Sequence, residues 1–282
     1  MIKIGIIGGL SNGQILHDYF YENKKKEVEI TFVCTYEDKN LSIKSKVKTF
    51  FEDSLFFLHK FTNLKELDFI FVAGWSKLIP KHILEGPKKG CIGFHPSDLP
   101  KDRGRSVLGW QISEGYKSTA LTMFYFVVEP DAGDIIHKEY FDIAKKDTIK
   151  DVLKKIDSAT FRTLAKTFPN LLSGTANRIV QDHSKATYRR LRNDSHSTID
   201  WNKDTKNILN LIRAITRPYP GSISYFNKKK YRIWKAEEYK NKNFYDPQRP
   251  PKPGEIIKRF SDNTFLAKTS DGLIRIVEYE NE

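Results

Sequence analysis

Short apolar segments alternate with amphipathic segments over the first third of the chain. MIKIGIIGG is typical of a buried β-strand that ends in glycines, and in the following SNGQILHDYFYENKKK four apolar residues share one helical face: Ile15, Leu16, Tyr19 and Phe20. Further buried-strand patterns occur in VEITFVCTY, LKELDFIFVAGW and CIGF. This alternation predicts an α/β fold with a Rossmann-like, mostly parallel sheet and helices on both faces.

The regular alternation of apolar and amphipathic segments ends in the second half of the chain. A predicted strand pair (TALTMFYFVVE and DIIHKEYFDI) and a long helix (TIKDVLKKIDSATFRTLAKTF) precede QDHSKATYRRLRNDSHS, which is polar, basic and aperiodic and favours a linker. One helix, TKNILNLIRAI, and short strands with turn signals at intervals of ~8 to 12 residues follow. We therefore predict a larger domain over residues 1–185 and a small β-rich, barrel-like domain with one helix over 186–282.

The charge and the composition of the chain indicate whether it binds anions, crosses a membrane, forms disulfides or binds metal. The 282-residue chain carries a net charge of +13, but its basic residues form short clusters without a long basic tail, which favours a solvated surface that attracts small anions. No segment approaches the ~18 to 20 apolar residues of a membrane span, so we expect a soluble cytoplasmic protein. Cys34 and Cys91 lie in strand-like segments and are expected to be reduced, and the widely spaced histidines indicate no metal site.

The stretch 90-GCIGFHPSDLPKDRGRS-106 places His95 at the end of a predicted strand, where an open α/β sheet binds its ligands. A lone histidine is more often structural, but the neighbouring prolines stiffen this loop, as a functional loop requires. Asp131 lies in the predicted turn of 129-EPDAGDII-136. An imidazole and a carboxylate at one sheet edge form an acid/base pair. Asp134 is the competing candidate, or it simply caps the turn.

The first loop, GIIGGLSNG, is a weak dinucleotide signal because it lacks the G-x-G-x-x-G spacing. A tight strand-to-helix turn, with Gly8 and Gly9 near the pocket, explains the glycines better.

Taken together, these segments resemble a known family. The block IGFHPSDLPKDRGRSVLGWQI, followed by VEPDAGDII, resembles the core of the formyltransferases that use 10-formyltetrahydrofolate, which include methionyl-tRNA, glycinamide ribonucleotide and sugar N-formyltransferases. FVAGWSKLIP resembles the folate-pocket loop of that family. Residues 199–225, IDWNKDTKNILNLIRAITRPYPGSISY, resemble the carboxyl-terminal part of enzymes that formylate nucleotide-linked amino sugars. The resemblance spans most of the chain from Phe69 to Tyr225.

The resemblance implies a catalytic set of Asn, His and Asp with the motif Asn-x-His-Pro-Ser. His95 and Asp131 match, whereas Gly93 stands at the asparagine position. In the family mechanism the Asn amide and the His stabilise the oxyanion, and the Asp orients the His and helps to remove the proton of the amine. Loss of an oxyanion donor costs about 3 kcal/mol in the transition state.

Three explanations for Gly93 remain open. The first is that a backbone N–H or a water replaces the amide, with Ser97, Ser106 or Lys77 as side-chain donors, and the persistence of His95 favours it. The second is that glycine makes room for a bulkier acyl group. The third is that the protein binds nucleotide or folate without catalysis.

The resemblance also implies the ligands. The formyl donor would be 10-formyltetrahydrofolate, in an apolar slot lined by Ala73, Gly74, Trp75, Leu78, Ile79, Val127, Val128 and Asp131. The acceptor would be the amine of a nucleotide-linked amino (dideoxy) sugar used for a surface polysaccharide such as the O-antigen of lipopolysaccharide. The candidate acceptor contacts, several of them suited to phosphate oxygens, are Gly8, Gly9, Lys77, Arg103, Arg105, Ser106, Arg213, Arg217 and Tyr219.

Other acceptors are alternatives, namely methionyl-tRNA or another amine. The scattered charge argues against tRNA, although the net charge of +13 favours it. A homodimer is compatible with the resemblance, but no feature of the sequence requires one.

Overall fold

The computed structural model describes residues 1–38, 41–43, 47–241, 245, 248 and 250–281. The chain forms two compact units, each built from three segments. The first comprises Met1–Arg105, Thr119–Phe141 and Lys154–Arg189, and the second comprises Ser106–Ser118, Asp142–Leu153 and Arg190–Glu282. The division into continuous domains after residue 185 stays a prediction.

The helices and strands up to residue 189 alternate largely as predicted. In chain order they are β1 (Ile2–Gly8), α1 (Leu10–Asp18), β2 (Val28–Thr35), β3 (Lys48–Phe51), α2 (Leu58–Phe61), β4 (Phe69–Ala73), α3 (Lys81–Leu84), β5 (Cys91–His95), β6 (Arg103–Gly104), α4 (Val107–Ser113), β7 (Ser118–Tyr125), β8 (Ile135–Asp142), α5 (Ile149–Ser173) and β9 (Tyr188–Arg189). Seven of these strands form one sheet in the order β3-β2-β1-β4-β5-β7-β8. The first five are parallel, and β7 runs antiparallel to β5.

Successive residues of β4 point to opposite faces of this sheet and enter two different cores. Phe71 packs with Phe168 of α5 on one face, while Ile70 packs with Leu58 of α2 on the other. Burial of each of these side chains contributes about 1.5 to 3 kcal/mol. The predicted Rossmann-like sheet with helices on both faces is therefore confirmed. Strand β3, at the sheet edge, is an additional element that the apolar pattern does not indicate.

The segment predicted as a linker, residues 181–197, is structured. Within it β9 pairs in parallel with β6, and the backbone N–H of Arg103 donates to the carbonyl oxygen of Thr187 at 2.8 Å. Further on, Asp194–Ser197 form a one-turn helix, α6, which Asn193 caps. The boundary between the two units, after Arg189, falls within this segment. The segment is nevertheless not an irregular linker, because it is held by hydrogen bonds of polar groups, which hydrophobic periodicity does not detect.

The rest of the second unit contains one longer helix and an antiparallel sheet. These elements are α7 (Thr205–Ile215), β10 (Ser222–Phe226), β11 (Lys229–Glu238), β12 (Ile256–Arg259), β13 (Phe265–Lys268) and β14 (Leu273–Asn281). The sheet order is β10-β11-β14-β13-β12. Ile208 and Ile212, four residues apart on α7, pack against Ile233, Phe265 and Ile274 of the sheet. The predicted β-rich second region is confirmed.

Cys34 and Cys91 are buried free thiols, and burial raises the pKa of the Cys91 thiol to about 12. Within the described ranges, no helix is long and apolar enough to cross a membrane. In the same ranges, no group of three or more His, Cys, Asp or Glu side chains has an arrangement that would hold a metal ion.

A charge cluster connects β8 to α5. Glu139 accepts from Arg162 at 2.8 Å and from Lys166 at 2.9 Å, two cations four residues apart on one helix face, and it lies 3.3 Å from His137. Burial raises the pKa of Glu139, but the hydrogen bonds from Lys166, Arg162 and His137 outweigh it and hold this pKa at about 2. The folded state therefore stabilises the ionised carboxylate.

We predict that Glu139→Gln lowers the free energy of unfolding by about 1 to 2 kcal/mol at neutral pH, a value discounted for the solvent around Arg162 and Lys166. The folded pKa of Glu139 lies below the ordinary value of 4.5. Its contribution is therefore present above pH 4.5 and disappears as the pH falls through about 2. Urea unfolding at several pH values measures this. Glu85→Gln, which breaks the exposed pair with Lys81, is the control and should have no measurable effect. An equal loss at pH 7 and pH 2 would contradict the prediction.

Candidate functional site

The side chain of His95, the last residue of β5, is buried between two acceptors. Its Nε2 lies 2.7 Å from the carbonyl oxygen of Asp102, and its Nδ1 lies 3.5 Å from Oδ1 of Asp131. A carbonyl oxygen only accepts, so Nε2 carries the hydrogen and Nδ1 faces the carboxylate. The unprotonated Nδ1 is therefore the ring nitrogen that faces the carboxylate of Asp131.

Asp131 is anchored at its carboxylate and has an unusual backbone. Oδ2 accepts the N–H of Gly104 at 2.7 Å, which leaves Oδ1 directed at His95. The backbone φ of Asp131 is 57°, in the left-handed region that Asp tolerates better than most residues. Asp134, the competing candidate, instead pairs with Arg178 at 3.3 Å. The structure thus brings together His95 and Asp131, as predicted.

The loop that follows His95 is tied down by its own polar side chains. Ser97 is fully buried, and its hydroxyl donates to the carbonyl oxygen of Lys101 at 2.7 Å. Lys138 and Tyr140 of β8 both bind the carboxylate of Asp98. The hydroxyl of Ser97 is therefore engaged in holding the loop, and the structure does not favour the predicted role of Ser97 as a catalytic donor.

Gly93 lies in β5 on the same face as His95, two residues away, and this face is covered by Phe126. A Cβ atom at position 93 would lie 2.2 Å from the ring of Phe126 and 3.0 Å from the carbonyl oxygen of Val72. An asparagine side chain does not fit in this arrangement. The space that glycine leaves is filled by an aromatic ring of the chain itself, so the structure does not support the hypothesis that Gly93 makes room for a bulkier acyl group.

Three of the residues predicted to line the folate slot expose apolar side chains. Leu78 is 77% exposed, Val127 45% and Val128 63%. Leu78 lies in the loop after β4, and the two valines lie between β7 and Asp131. Exposed apolar side chains in these two loops are available to an aromatic ligand.

The other predicted lining residues are packed within the protein. Trp75 stacks on Tyr36 with the ring centroids 4.6 Å apart, and its ring is half-buried. Ala73 is buried at the end of β4, and Ile79 packs against the adjacent core. That these three residues line a folate slot stays a prediction.

Gly8 and Gly9 of the first loop, and Gly74 in the loop after β4, lie close to backbone and ring atoms of neighbouring segments. Gly74 has a φ of 64°, and a Cβ there would lie 2.0 Å from the carbonyl oxygen of Gly9. A Cβ at Gly9 would lie 2.4 Å from the ring of Tyr36, and one at Gly8 would lie 2.8 Å from the carbonyl oxygen of Ala73. Both Gly8 and Gly9 are buried, so the structure does not favour the predicted contacts of these two glycines with substrate.

Arg103, predicted to contact phosphate, is fully buried and surrounded by protein partners. Its Nε and Nη2 donate to Oε1 of Gln181 at 3.3 and 2.8 Å, and Nη1 donates to Tyr188 at 3.2 Å and to Glu129 at 3.4 Å. Nη2 also lies 3.2 Å from Nδ1 of His183. The prediction that Arg103 binds phosphate is not supported, because its guanidinium is already engaged.

Three further predicted cations are also engaged. Lys77 pairs with Glu52 at 3.1 Å, and Arg217 pairs with Glu278 and Glu280. Arg213 donates to the side-chain oxygen of Asn210 and to the backbone carbonyl of Asp147, at 2.9 and 2.7 Å. The charge of Lys77 and that of Arg217 are thus already paired with carboxylates, and the guanidinium of Arg213 is held by two neighbouring oxygens.

The remaining predicted contacts differ in availability. Arg105 is exposed, and within the described ranges no hydrogen bond or ion pair engages its guanidinium. Ser106 accepts the N–H of Arg192 at 3.2 Å. Tyr219 is half-buried, and burial raises the pKa of its hydroxyl. Arg105 is thus the predicted cation that remains free to bind an anion.

Sequence reasoning missed the groups that hold the site. Arg189 binds the carboxylate of Asp102 at 2.6 Å, and Thr187 accepts the N–H of Asp102 at 2.8 Å. Gln181 binds backbone carbonyls of the Asp131 turn. All three residues lie in the segment that the sequence pattern marks as a linker. The signal that could have identified them is the large number of side chains able to form hydrogen bonds in that segment.

Comparison with known proteins gives one family. The model of the formyl transferase family matches residues 2–167, and that of the formyl transferase C-terminal domain matches residues 193–282. A methionyl-tRNA formyltransferase of Bacillus velezensis is 32% identical over 79% of this chain and 68% of its own length. The bifunctional polymyxin resistance protein ArnA of Wigglesworthia glossinidia brevipalpis is 36% identical over 71% of this chain. Only 31% of the length of ArnA is covered, so the chain spans only part of these relatives.

Among solved structures, the fold is similar to that of an N-formyltransferase of Helicobacter canadensis, which was crystallised with folinic acid and dTDP-3-aminofucose. The TM-score is 0.71 at 20% sequence identity, and the alignment covers 99% of this chain and 100% of the other. At 20% sequence identity, this likeness shows a shared fold and nothing about the substrate.

We predict that Gly93→Asn destabilises the protein by about 1 to 3 kcal/mol, because the side chain overlaps the ring of Phe126. Phe126→Ala removes that ring, so the double variant should be more stable than the sum of the two single effects by at least about 1 kcal/mol. Urea unfolding of the four proteins measures this coupling. Gly174→Asn is the control, since a Cβ there has no atom within 4 Å and Asn tolerates the left-handed backbone. Strict additivity of the single effects would contradict the prediction.

Proposed function

Because the chain belongs to the formyltransferase family, we propose that it transfers the formyl group of 10-formyltetrahydrofolate to the amine of a nucleotide-linked amino sugar. The observation that carries this proposal is the juxtaposition of His95 and Asp131 at the end of β5, with 3.5 Å between Nδ1 and Oδ1. The exposed apolar side chains of Leu78, Val127 and Val128 fit the aromatic part of a folate.

In the proposed reaction the neutral amine attacks the formyl carbon, a C–N bond forms, and the bond from that carbon to the folate nitrogen breaks. The attacking nitrogen must lose a proton and the leaving nitrogen must gain one. His95 and Asp131 together can accept and return this proton, because the imidazole is held with Nδ1 toward the carboxylate. The fixed ring orientation removes the need to order these groups during the reaction.

The oxyanion is proposed to form without a side-chain amide at position 93. The hydroxyl of Ser97 donates to Lys101, and the ammonium of Lys77 pairs with Glu52. These contacts favour a backbone N–H or a water as the donor that replaces the amide. Each such donor contributes about 3 kcal/mol to stabilisation of the transition state.

The sugar acceptor is proposed from the charge of the protein and from a neighbour of known structure. The free guanidinium of Arg105 suits a phosphate of the nucleotide, and the net charge of +13 raises the local concentration of anionic substrates. The neighbour of known structure with a dTDP-linked amino sugar aligns along its whole length. Methionyl-tRNA is the second candidate, favoured by the 32% identity to the Bacillus velezensis enzyme.

We predict that Asp131→Asn lowers kcat by about 10²- to 10⁴-fold, because an amide cannot accept the proton. The assay follows release of tetrahydrofolate with nucleotide-linked 3-amino and 4-amino sugars and with charged initiator tRNA. Asp134→Asn, which breaks only the pair with Arg178, is the matched control and should keep the wild-type rate.

The outcomes of this assay separate the hypotheses. Equal rates for the wild type and Asp131→Asn would exclude the proposed role of Asp131. Turnover with tRNA alone would replace the sugar by tRNA as acceptor. Folate binding without turnover on any amine would favour a non-catalytic binding protein.

A further inference from the structure

Gln181 is a buried amide whose four hydrogen-bonding positions are all used. Its oxygen accepts twice from the guanidinium of Arg103, at 3.3 and 2.8 Å. Its nitrogen donates to the carbonyl oxygens of Asp131 and Gly133, at 2.9 and 2.7 Å. Gln181 therefore joins the buried arginine to the backbone of the turn that carries the proposed catalytic carboxylate.

The chemistry of Arg103 fixes the orientation of this amide. A guanidinium has only donors, so the oxygen of Gln181 must face Arg103 and the NH₂ group must face the two carbonyls. Arg103 is in turn immobilised by complete burial and by Tyr188, Glu129 and His183. The position of the NH₂ group is thus determined by a rigid partner.

The same β6 dipeptide also binds the carboxylate of Asp131. Gly104, the residue after Arg103, donates its N–H to Oδ2 at 2.7 Å. Gly104 has a φ of 101°, and a Cβ there would lie 2.3 Å from the carbonyl oxygen of Arg189, so only glycine brings the N–H to this place. A closed ring of contacts results: the carboxylate of Asp131, Gly104, Arg103, Gln181 and the carbonyl of Asp131.

We propose that Gln181 is a positioning residue, which with Arg103 holds Asp131 in its left-handed conformation with Oδ1 toward His95. This inference rests on the proposed function, because it assigns Gln181 to the formyl-transfer site. A left-handed backbone at a residue other than glycine persists only where its surroundings impose it. Without the amide, the turn is free to relax, and Oδ1 loses its direction toward the imidazole.

Two variants of Gln181 test the proposal. Gln181→Met removes all four hydrogen bonds at similar volume. Gln181→Glu places an oxygen against the carbonyls of Asp131 and Gly133 but retains an acceptor for the buried guanidinium of Arg103, so it is the second variant for the case that Gln181→Met does not fold. We expect kcat to fall about 10- to 100-fold in both variants while KM for donor and acceptor stays within about twofold.

Gln14→Met is the matched control. The amide of Gln14 also joins two segments, with bonds to Asp18 at 2.9 Å and to both backbone groups of Ser42, at 3.2 and 2.7 Å, but none of these bonds reaches the Asp131 turn. We expect the kcat of Gln14→Met to equal that of the wild type. An equal fall of kcat in Gln14→Met and the Gln181 variants would overturn the proposal, because it would indicate a general effect on stability.

A second readout does not depend on activity. The N–H of Gly104 is protected by Asp131, so its hydrogen exchange, measured by NMR at fixed pH, should accelerate about tenfold or more in the Gln181 variants and stay unchanged in Gln14→Met. Unchanged exchange, or unchanged kcat in an active wild type, would overturn the positioning role. A wild type that formylates no amine, but shows the exchange effect, would contradict the proposed function while supporting the restraint of Asp131 by Gln181.

Discussion

The proposed site depends on the hydrogen bonds that the buried guanidinium of Arg103 makes with its neighbours. A fully buried cation is tolerated only when its donors are satisfied, and here Gln181, Tyr188, Glu129 and His183 satisfy them. To reach these partners, the segment after residue 180 must fold back along β6. The same fold brings Thr187 and Arg189 to Asp102, whose carbonyl oxygen holds Nε2 of His95. One desolvated charge thus organises both halves of the proposed acid/base pair.

The pair formed by Gly93 and Phe126 shows a different constraint, that of volume. The absence of a side chain at position 93 leaves no cavity, because the aromatic ring occupies the place that a Cβ would take. A closely packed interior makes such positions interdependent, so the free-energy cost of a residue change at one of them depends on the residue at the other. At Gly93 the chain departs from the motif that the resemblance implies, and the ring of Phe126 occupies the space that an asparagine side chain would need.

Much of the fold followed from the sequence because hydrophobic periodicity reports burial directly. The runs that form β1, β2, β4 and β5 each contain enough apolar residues to identify a strand, and α5 and α7 carry a clear helical period. His95 was identifiable because it ends such a strand, and Asp131 because it lies in the turn between two apolar strands, β7 and β8. Arg103 was misassigned to phosphate, since the sequence shows a charge but does not show whether that charge is buried.

The sequence by itself determined the strand and helix pattern, the placement of His95 and Asp131 at one edge of the sheet, and the family motif with glycine at position 93. Only the tertiary structure decided that Arg103, Arg213 and Arg217 are engaged by protein groups, that Phe126 fills the space beside Gly93, and that Gln181 belongs to the proposed site. The reason is physical. The hydrophobic periodicity that indicates a strand or a helix is a local property of the sequence. The partner of a buried polar group is instead determined by proximity in space, here across 78 residues between Arg103 and Gln181.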